Sequence, residues 1–336
     1  MLPINASNAR LWSMLGSRGT FGVAMLDAAA GMDSLMVLTA DLSVTSGLER
    51  FRVTYPDRFL NVGIAEQNMM GIAAGLAKEG YRTFATTFSN FAAMRSYEQV
   101  RLHLGYMGLN VKVIGLAGGM AMGQFGNTHY GIEDMALMRA VPGLTVIAPA
   151  DGAEIVKTVE TMMKHEGPVF VRLTGAMNNP IVYTSDYKFT VGKAVRLREG
   201  ADVAIFACGT MVYEAMQAAK KLEAQGVSAS VTNIHTLKPL DGQAIEEACS
   251  YASLLVTVEE HGIIGGLGGA VAEYTARRGG APRQLFVGLP DRFGMNGDYK
   301  YLMHKYGLTG NQIAGKVMEA LGCRTGDGSK KLALVE

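Results

Sequence analysis

The chain has 336 residues, 49% of them hydrophobic, and its 31 lysines and arginines nearly balance 30 aspartates and glutamates. The basic residues are also scattered along the chain. The sequence therefore lacks the clustered positive charge of a protein that binds nucleic acid or an anionic membrane, and these functions are excluded. The length predicts two domains, since single cores rarely grow beyond about 250–300 residues. No apolar run reaches the roughly 18 residues of a membrane span and the N-terminus lacks a leader pattern, so we expect a cytoplasmic protein.

Strand-like apolar runs alternate with helical segments along the first part of the chain. The runs cover residues 34–42, 59–62, 82–88, 111–117, 144–149 and 169–173. Such alternation predicts a parallel sheet covered by helices. A polar connector without helical periodicity follows at 174–191, and we place the domain boundary there.

The alternation then resumes in a second part. Strands are predicted at 203–207, 229–234, 254–259 and 284–289, and helices at 211–225, 243–252 and 267–278. The predicted fold class is therefore α/β, with two doubly wound, mainly parallel domains over residues 1–180 and 190–323. Residues 324–336 are polar without a core pattern, and we expect a disordered tail.

Metal-binding residues are too dispersed to form a site. Cys208, Cys249 and Cys323 are far apart in sequence, and the six histidines include no pair at helical spacing. We expect reduced, structural cysteines and no metal site built by this chain alone.

One glutamate stands out, because a short apolar run breaks at Gly63 and places Glu66 in the first turn of the predicted helix 65–78. Glutamates in first turns are commonly solvated caps that complement the helix dipole. This helix is rich in Ala, Gly and Met, which predicts burial on all sides against another subunit or domain. A carboxyl group buried without a cationic partner resists ionisation, so it is poised to share a proton with a ligand nitrogen.

Two phenylalanines, Phe88 and Phe91, follow the next strand and are able either to flank a flat heterocycle or to fill core. Other segments of the chain favour the first interpretation, in which the two rings flank a heterocycle. These segments occur in the order and spacing of the thiamine-diphosphate-dependent transketolases. These segments are Gly63–Gln67, the Phe88/Phe91 pair, Thr128-His129, Ile132–Asp134, Arg172, Val258–Gly262 and Gly265–Gly269. The chain thus resembles the C-terminal half of a transketolase, a pyrimidine-binding domain followed by the third domain, over about residues 10 to 323.

The diphosphate-binding domain of that family has no counterpart in the matched segments. Its Gly-Asp-Gly motif, with a downstream asparagine, holds magnesium. Here the only Gly-Asp-Gly is Gly326–Gly328, close to the end of the chain, and we interpret it as chance. The resemblance therefore implies a split enzyme in which a separate N-terminal subunit supplies the sites for the diphosphate and Mg²⁺. It also implies a heterotetramer of two pairs, inactive without the partner.

The resemblance assigns roles near the cofactor, thiamine diphosphate. Glu66 is the catalytic carboxyl group that hydrogen-bonds the aminopyrimidine ring, and Phe88 and Phe91 border that ring. Asp41 matches a family position close to the cofactor, although a turn or cap aspartate is nearly as good an interpretation.

The resemblance also assigns substrate contacts, on the understanding that the substrates are sugar phosphates. Arg172 matches an arginine that binds the sugar phosphate, with a structural ion pair as the competing interpretation. Arg18 is a second phosphate ligand. His129 contacts sugar hydroxyls and relays protons.

Three positions depart from the family pattern. Phe125 stands where an aspartate reads donor hydroxyls, Ala117 replaces a histidine, and Met94 replaces an aromatic residue beside the cofactor. Phenylalanine accepts no hydrogen bond from a hydroxyl, so the usual donor preference is in doubt. We expect ketol transfer on a branched, deoxy or otherwise unusual sugar phosphate.

Three alternatives remain open. A β subunit of a 2-oxo acid dehydrogenase shares the domain order, but Arg172 and His129 argue against it. A 1-deoxyxylulose-5-phosphate synthase-like enzyme is favoured by Gly63–Gln67, which resembles that branch. A non-catalytic scaffold subunit is the third alternative, and Glu66 argues against it.

Overall fold

A computed structural model describes residues 2–175 and 177–322, and the predicted tail 324–336 and Cys323 lie outside these residues. The strands are β1 Leu35–Thr39, β2 Phe59–Asn61, β3 Arg82–Phe88, β4 Val111–Gly118, β5 Thr145–Ile147, β6 Val169–Thr174, β7 Val195–Arg198, β8 Val203–Ala207, β9 Ala229–Asn233, β10 Thr236–Lys238, β11 Leu254–Gly262 and β12 Arg283–Leu289. The α-helices are α1 Ala6–Ala29, α2 Glu49–Thr54, α3 Glu66–Lys78, α4 Tyr97–Gln99, α5 Asp134–Ala140, α6 Gly152–Met162, α7 Met211–Glu223, α8 Gly242–Tyr251, α9 Leu267–Arg278, α10 Tyr299–Lys305 and α11 Gly310–Ala320.

The first sheet has seven strands in the order β10-β5-β6-β4-β3-β1-β2. All neighbours run parallel except β10, which pairs antiparallel with β5. Because β10 follows the predicted boundary at 174–191, the chain returns to the first sheet after entering the second, which the sequence did not indicate.

The second sheet has five strands in the order β12-β11-β8-β9-β7. Only the edge strand β7 runs antiparallel to its neighbour. The predicted fold class of two mainly parallel α/β units is therefore confirmed. Among the elements for which the sequence predicted bounds, β3, β8 and α9 agree with the structure and the others differ by one to a few residues at an end. The sequence predicted no bounds for α1, α2, α4, α5, α6, α10, α11, β7 and β10.

Two helical irregularities shape the region where the parallel strands of the first sheet end. Helix α1 is broken at Gly16, whose φ of 71° and ψ of 179° are non-helical. The segment after β3 contains π-helical turns at Phe91–Arg95 and Val100–Tyr106. Such π-turns are frequent at functional sites.

Helix α3 is buried on one face only within the single chain. Met69, Met70 and Ala73 are fully buried against the sheet. Gln67 and Gly75 are exposed on the other face. The expectation of burial on all sides therefore does not hold for the single chain. No helix among the described residues is long and apolar enough to cross a membrane.

Candidate active site

Glu66 begins α3 directly after β2, and it is only 3% exposed. The guanidinium of Arg95 donates a hydrogen bond from Nη1 to Glu66 Oε1 at 2.7 Å. The expectation of a carboxyl group without a cationic partner is therefore wrong, since the π-turn after β3 brings Arg95 to it. Glu66 Oε2 makes no hydrogen bond to the described residues, so one carboxyl oxygen remains able to bind a ligand.

Three aromatic rings and one imidazole form a cluster next to this ion pair. Phe88 and Phe91 pack edge to face with centroids 5.8 Å apart. The His129 ring lies 5.7 Å from Phe88 and 5.3 Å from Phe91 between centroids. Phe125, 56% exposed, covers His129 at 4.9 Å. The structure thus brings together the predicted pair Phe88/Phe91 and the predicted His129, and it adds Phe125 as their neighbour.

Arg95 links the carboxyl group to this aromatic cluster. Its Cζ atom lies 4.0 Å above the centroid of the Phe91 ring, a cation–π contact. The sequence reasoning missed Arg95. The signal available was a cation four residues after Phe91, but only the π-turn shows that it reaches Glu66.

Asp41 lies in the turn after β1 and is exposed. Its φ of 57° is left-handed, a conformation that aspartate tolerates better than most residues. The Asp41 amide donates to Asn61 Oδ1 at 3.0 Å, and Asn61 Nδ2 donates to Asp41 Oδ1 at 3.1 Å. The turn interpretation of Asp41 therefore has a structural basis. The turn also places Asp41 at the carboxyl ends of the parallel strands β1, β3 and β4.

Arg172 is buried, at 1% exposure, and does not face an open cavity. Its Nε donates to both carboxylate oxygens of Asp134 at 2.9 and 2.8 Å. Its Nη2 donates to the carbonyls of Gly131 and Glu260 at 2.7 and 2.9 Å. Ser89 Oγ donates to the same Asp134 carboxylate. The Nε and Nη2 donors of Arg172 are therefore already bonded within the chain, which favours the competing interpretation of a structural ion pair over the expected phosphate contact.

The ion pair between Arg172 and Asp134 is part of a polar interface between the two sheets. Glu260, on β11, accepts from the Met120 amide at 2.6 Å and from Tyr299 OH at 2.8 Å. Burial raises the pKa of Glu260. His261 lies 3.8 Å from Asp134, and burial lowers the pKa of His261 to about 4. We call Arg172, Asp134, Glu260 and His261 the buried charge cluster, and it fastens the second sheet to the first.

Arg18 lines a separate cavity of about 280 Å³. It lies just after the Gly16 break in α1, and burial lowers the pKa of its guanidinium. Among the described residues its side chain makes no hydrogen bond or ion pair. Ser17 lines the same cavity, and its buried Oγ has no hydrogen-bond partner within residues 2–175 and 177–322. A guanidinium without a partner among the described residues, at the wall of a cavity, is suited to an anion.

The remaining positions that depart from the family pattern lie as follows. Ala117 is 3% exposed and has a left-handed φ of 54° near the end of β4. Met94 is 43% exposed beside Arg95. Within residues 2–175 and 177–322, no group of three or more His, Cys, Asp or Glu side chains is placed to hold a metal ion.

Comparison with known proteins defines the class. The chain matches the pyrimidine-binding domain of transketolase over residues 14–178 and the transketolase C-terminal domain over residues 192–313. It is 39% identical over 308 residues to a putative transketolase C-terminal section of Methanocaldococcus jannaschii, which covers 91% of this chain and 96% of the relative.

Two further proteins are similar over nearly their whole length. The 6-deoxy-6-sulfo-D-fructose transketolase subunit SqwH of Clostridium sp. (strain MSTE9) is 41% identical, covering 88% of this chain and 91% of the relative. A solved structure described as a split gene transketolase, inactive β4 tetramer, is 39% identical, with a TM-score of 0.81 over 92% of this chain and 99% of that chain. The chain belongs to the transketolase family and carries its pyrimidine-binding and C-terminal domains.

Proposed function

We propose that this chain is the C-terminal subunit of a split transketolase, which transfers a two-carbon ketol unit from a ketose phosphate to an aldose or aldehyde. The observation that carries the proposal is the buried Glu66, joined through Arg95 to the ring cluster of Phe88, Phe91 and His129. A carboxyl group beside these edge-to-face rings is suited to an aminopyrimidine, because it offers a hydrogen-bond partner for a ring nitrogen and apolar aromatic surface around the ring.

The family implies dependence on thiamine diphosphate, which supplies the carbanion chemistry that protein side chains lack. Glu66 would hold the pyrimidine through its unoccupied Oε2, and Phe88 and Phe91 would border the ring. Asp41 would contribute a charge at the same sheet edge. We assign the Mg²⁺ and diphosphate ligands to an N-terminal partner subunit, and we expect the pair to assemble as a cytoplasmic heterotetramer.

The substrate contacts in this proposal come from two places. His129 would hydrogen-bond sugar hydroxyls and move protons, while Arg18 and Ser17 would hold the anionic end of the sugar. Phe125 covers the imidazole with an apolar ring where an aspartate is usual. We therefore expect an unusual donor, such as a deoxy or branched sugar phosphate, because a site without that carboxylate loses its hydrogen bond to the donor hydroxyl.

A sulfonated sugar is a second candidate substrate. A 41% identical relative is named for 6-deoxy-6-sulfo-D-fructose. The cavity at Arg18 suits a sulfonate as well as a phosphate, since both present several oxyanion acceptors to a guanidinium.

The test is ketol transfer by this chain mixed with the N-terminal subunit of the same organism, thiamine diphosphate and Mg²⁺. The donors are xylulose 5-phosphate, deoxy and branched ketose phosphates and 6-deoxy-6-sulfofructose, and each subunit is also assayed alone. We expect activity only in the mixture, in keeping with the 39% identical solved structure that is described as an inactive β4 tetramer of a split gene transketolase. Decarboxylation of 2-oxo acids, or condensation of pyruvate with an aldehyde phosphate, would instead favour the two enzyme alternatives.

Ordinary rates with xylulose 5-phosphate and ribose 5-phosphate would contradict the unusual donor and leave the transketolase assignment intact. Binding of thiamine diphosphate by the mixture without turnover of any donor would favour the scaffold alternative.

A further inference from the structure

The turn that carries Phe125 and His129 is held by a loop of the second domain. This specificity turn, residues 120–130, follows β4, and the bracing loop, residues 290–298, follows β12. The Asn127 side chain donates from Nδ2 to the Gly294 carbonyl at 2.8 Å, and Asn127 Oδ1 accepts from the Gly294 amide at 2.9 Å. This two-way pairing fixes both the distance and the orientation of the loop against the turn.

Asn296 makes a second connection from the bracing loop. Its Nδ2 donates to the Gln124 carbonyl at 3.1 Å. Its Oδ1 lies 2.0 Å from the position of a Cβ atom added to Gly126, whose φ is +66°. Any other residue at 126 would collide with Asn296 and be strained in this backbone conformation. The close approach of Asn296 therefore requires the glycine directly after Phe125.

The two ends of the specificity turn are also tied to the bracing loop. The Gly297 amide donates to the Gly123 carbonyl at 3.0 Å. A Cβ atom added to Gly123 would lie 2.3 Å from the Gly297 carbonyl oxygen. At the other end, Tyr130 OH donates to the Met295 carbonyl at 2.7 Å. The contacts thus surround Phe125 and His129 without using either side chain.

We infer that the bracing loop positions the donor-recognition residues, with Asn296 as a positioning residue for Phe125 and His129. This inference rests on the proposed function of His129. The second domain then takes part in substrate selection although it places no side chain in the ring cluster. Small displacements of a positioned group change rates strongly, so loosening this turn alters how donors are discriminated.

The test compares Asn296→Ala with Asn311→Ala. Asn311 is exposed on the same domain and makes no side-chain hydrogen bond to the described residues, so it controls for the loss of an asparagine. Asn127→Asp is the second variant, because it keeps the size of the side chain and removes the donor to Gly294. The first readout is amide hydrogen exchange over residues 120–130 in the full chain. The second is kcat and KM for two donors that differ at one hydroxyl, measured in the reconstituted pair.

We expect exchange over 120–130 to be about two- to tenfold faster in Asn296→Ala and Asn127→Asp than in Asn311→Ala, as loss of one net hydrogen bond gives. We also expect a higher donor KM and a changed ratio of kcat/KM between the two donors. A merely structural role would lower activity with both donors equally and leave that ratio unchanged.

Exchange in the variants equal to that of Asn311→Ala would overturn the inference, as would faster exchange with an unchanged KM and donor ratio. If the wild-type pair shows no ketol transfer, the proposed function has failed, and the exchange comparison alone decides whether the loop holds the turn.

Discussion

Glu66 with the ring cluster, and the buried charge cluster, contain residues from the same set of family motifs, yet their hydrogen bonding differs. Glu66 shares one oxygen with Arg95 and keeps the other open, and the His129 ring lies under the exposed Phe125. Arg172 has its Nε and Nη2 donors taken by Asp134 and two carbonyls. Glu66 and Arg172 are both buried, so burial alone does not distinguish a structural motif residue from one proposed to bind a ligand; the difference is whether its polar atoms are already hydrogen-bonded within the chain.

Replacing Glu66 tests the chemical side of this comparison most strongly. We expect Glu66→Gln to lower kcat of the reconstituted pair by about 10²–10⁴, the usual contribution of a positioned acid–base group. Unfolding midpoints should stay near those of the wild type. Glu79→Gln, at the exposed end of the same helix, is the control and should retain activity. Full turnover by Glu66→Gln would remove the carboxyl group from the mechanism.

Replacing Arg172 tests the structural side. We expect Arg172→Met to lower the free energy of unfolding by about 3–5 kcal/mol, because it leaves Asp134 as an unpaired buried charge. Arg52→Met breaks the exposed pair with Glu49 and should leave the free energy of unfolding close to that of the wild type. Denaturant titration measures both. A stable Arg172→Met protein with a strongly raised donor KM would restore the phosphate-binding role.

Replacing Arg18 tests whether its cavity binds the anionic end of the donor. We expect Arg18→Gln to raise the donor KM about 10- to 100-fold with a smaller change in kcat, as loss of a charge-assisted hydrogen bond gives. Arg10→Gln, exposed on the same helix, is the control. The KM for an uncharged donor should not change in either variant, and an equal rise for charged and uncharged donors would contradict the anion site.

The smallest expected effect concerns His261. Its folded pKa of about 4 lies below the ordinary 6.5, so the unfolded chain binds the proton first and its contribution to stability is lost as the pH falls through this range. Buried Glu259, with a pKa of about 7, acts in the opposite direction. Asp134 and Arg172 also face the imidazole of His261.

We therefore compare the wild type with His261→Gln. Both proteins contain Glu259, Asp134 and Arg172, so the difference between them isolates the titration of His261. Between pH 6 and 5 the stability of the wild type relative to the variant should fall by about 1 kcal/mol. Urea titrations at the two pH values measure this difference. A difference that does not change with pH would mean that His261 does not titrate as a buried neutral base.

Much of the fold was predictable because strand and helix periodicities are local. The alternation of apolar runs indicated both sheets, and β3, β8 and α9 have their predicted bounds. Pairing of β10 with β5 was not predictable, since nothing in three residues specifies a partner about ninety positions away. The break of α1 at Gly16 depends on a backbone conformation that glycine permits but does not require.

The candidate site was predictable in part for the same reason. Phe88 ends β3, and Glu66 and Phe91 lie a few residues after strand ends, so their position at the carboxyl ends of the parallel strands follows from topology. The partner of Glu66 depends on the π-turn that redirects Arg95, and the role of Arg172 depends on Asp134, 38 residues earlier. Both are tertiary contacts without a sequence period.

The most direct measurement is an experimental structure of this chain with its N-terminal subunit and thiamine diphosphate. The account predicts a pyrimidine ring nitrogen within hydrogen-bond distance of Glu66, with Phe88 and Phe91 against the ring and Arg172 still bound to Asp134. A pyrimidine bound away from Glu66, or an Arg172 guanidinium turned from Asp134 toward a ligand, would contradict the division between the ring cluster and the buried charge cluster.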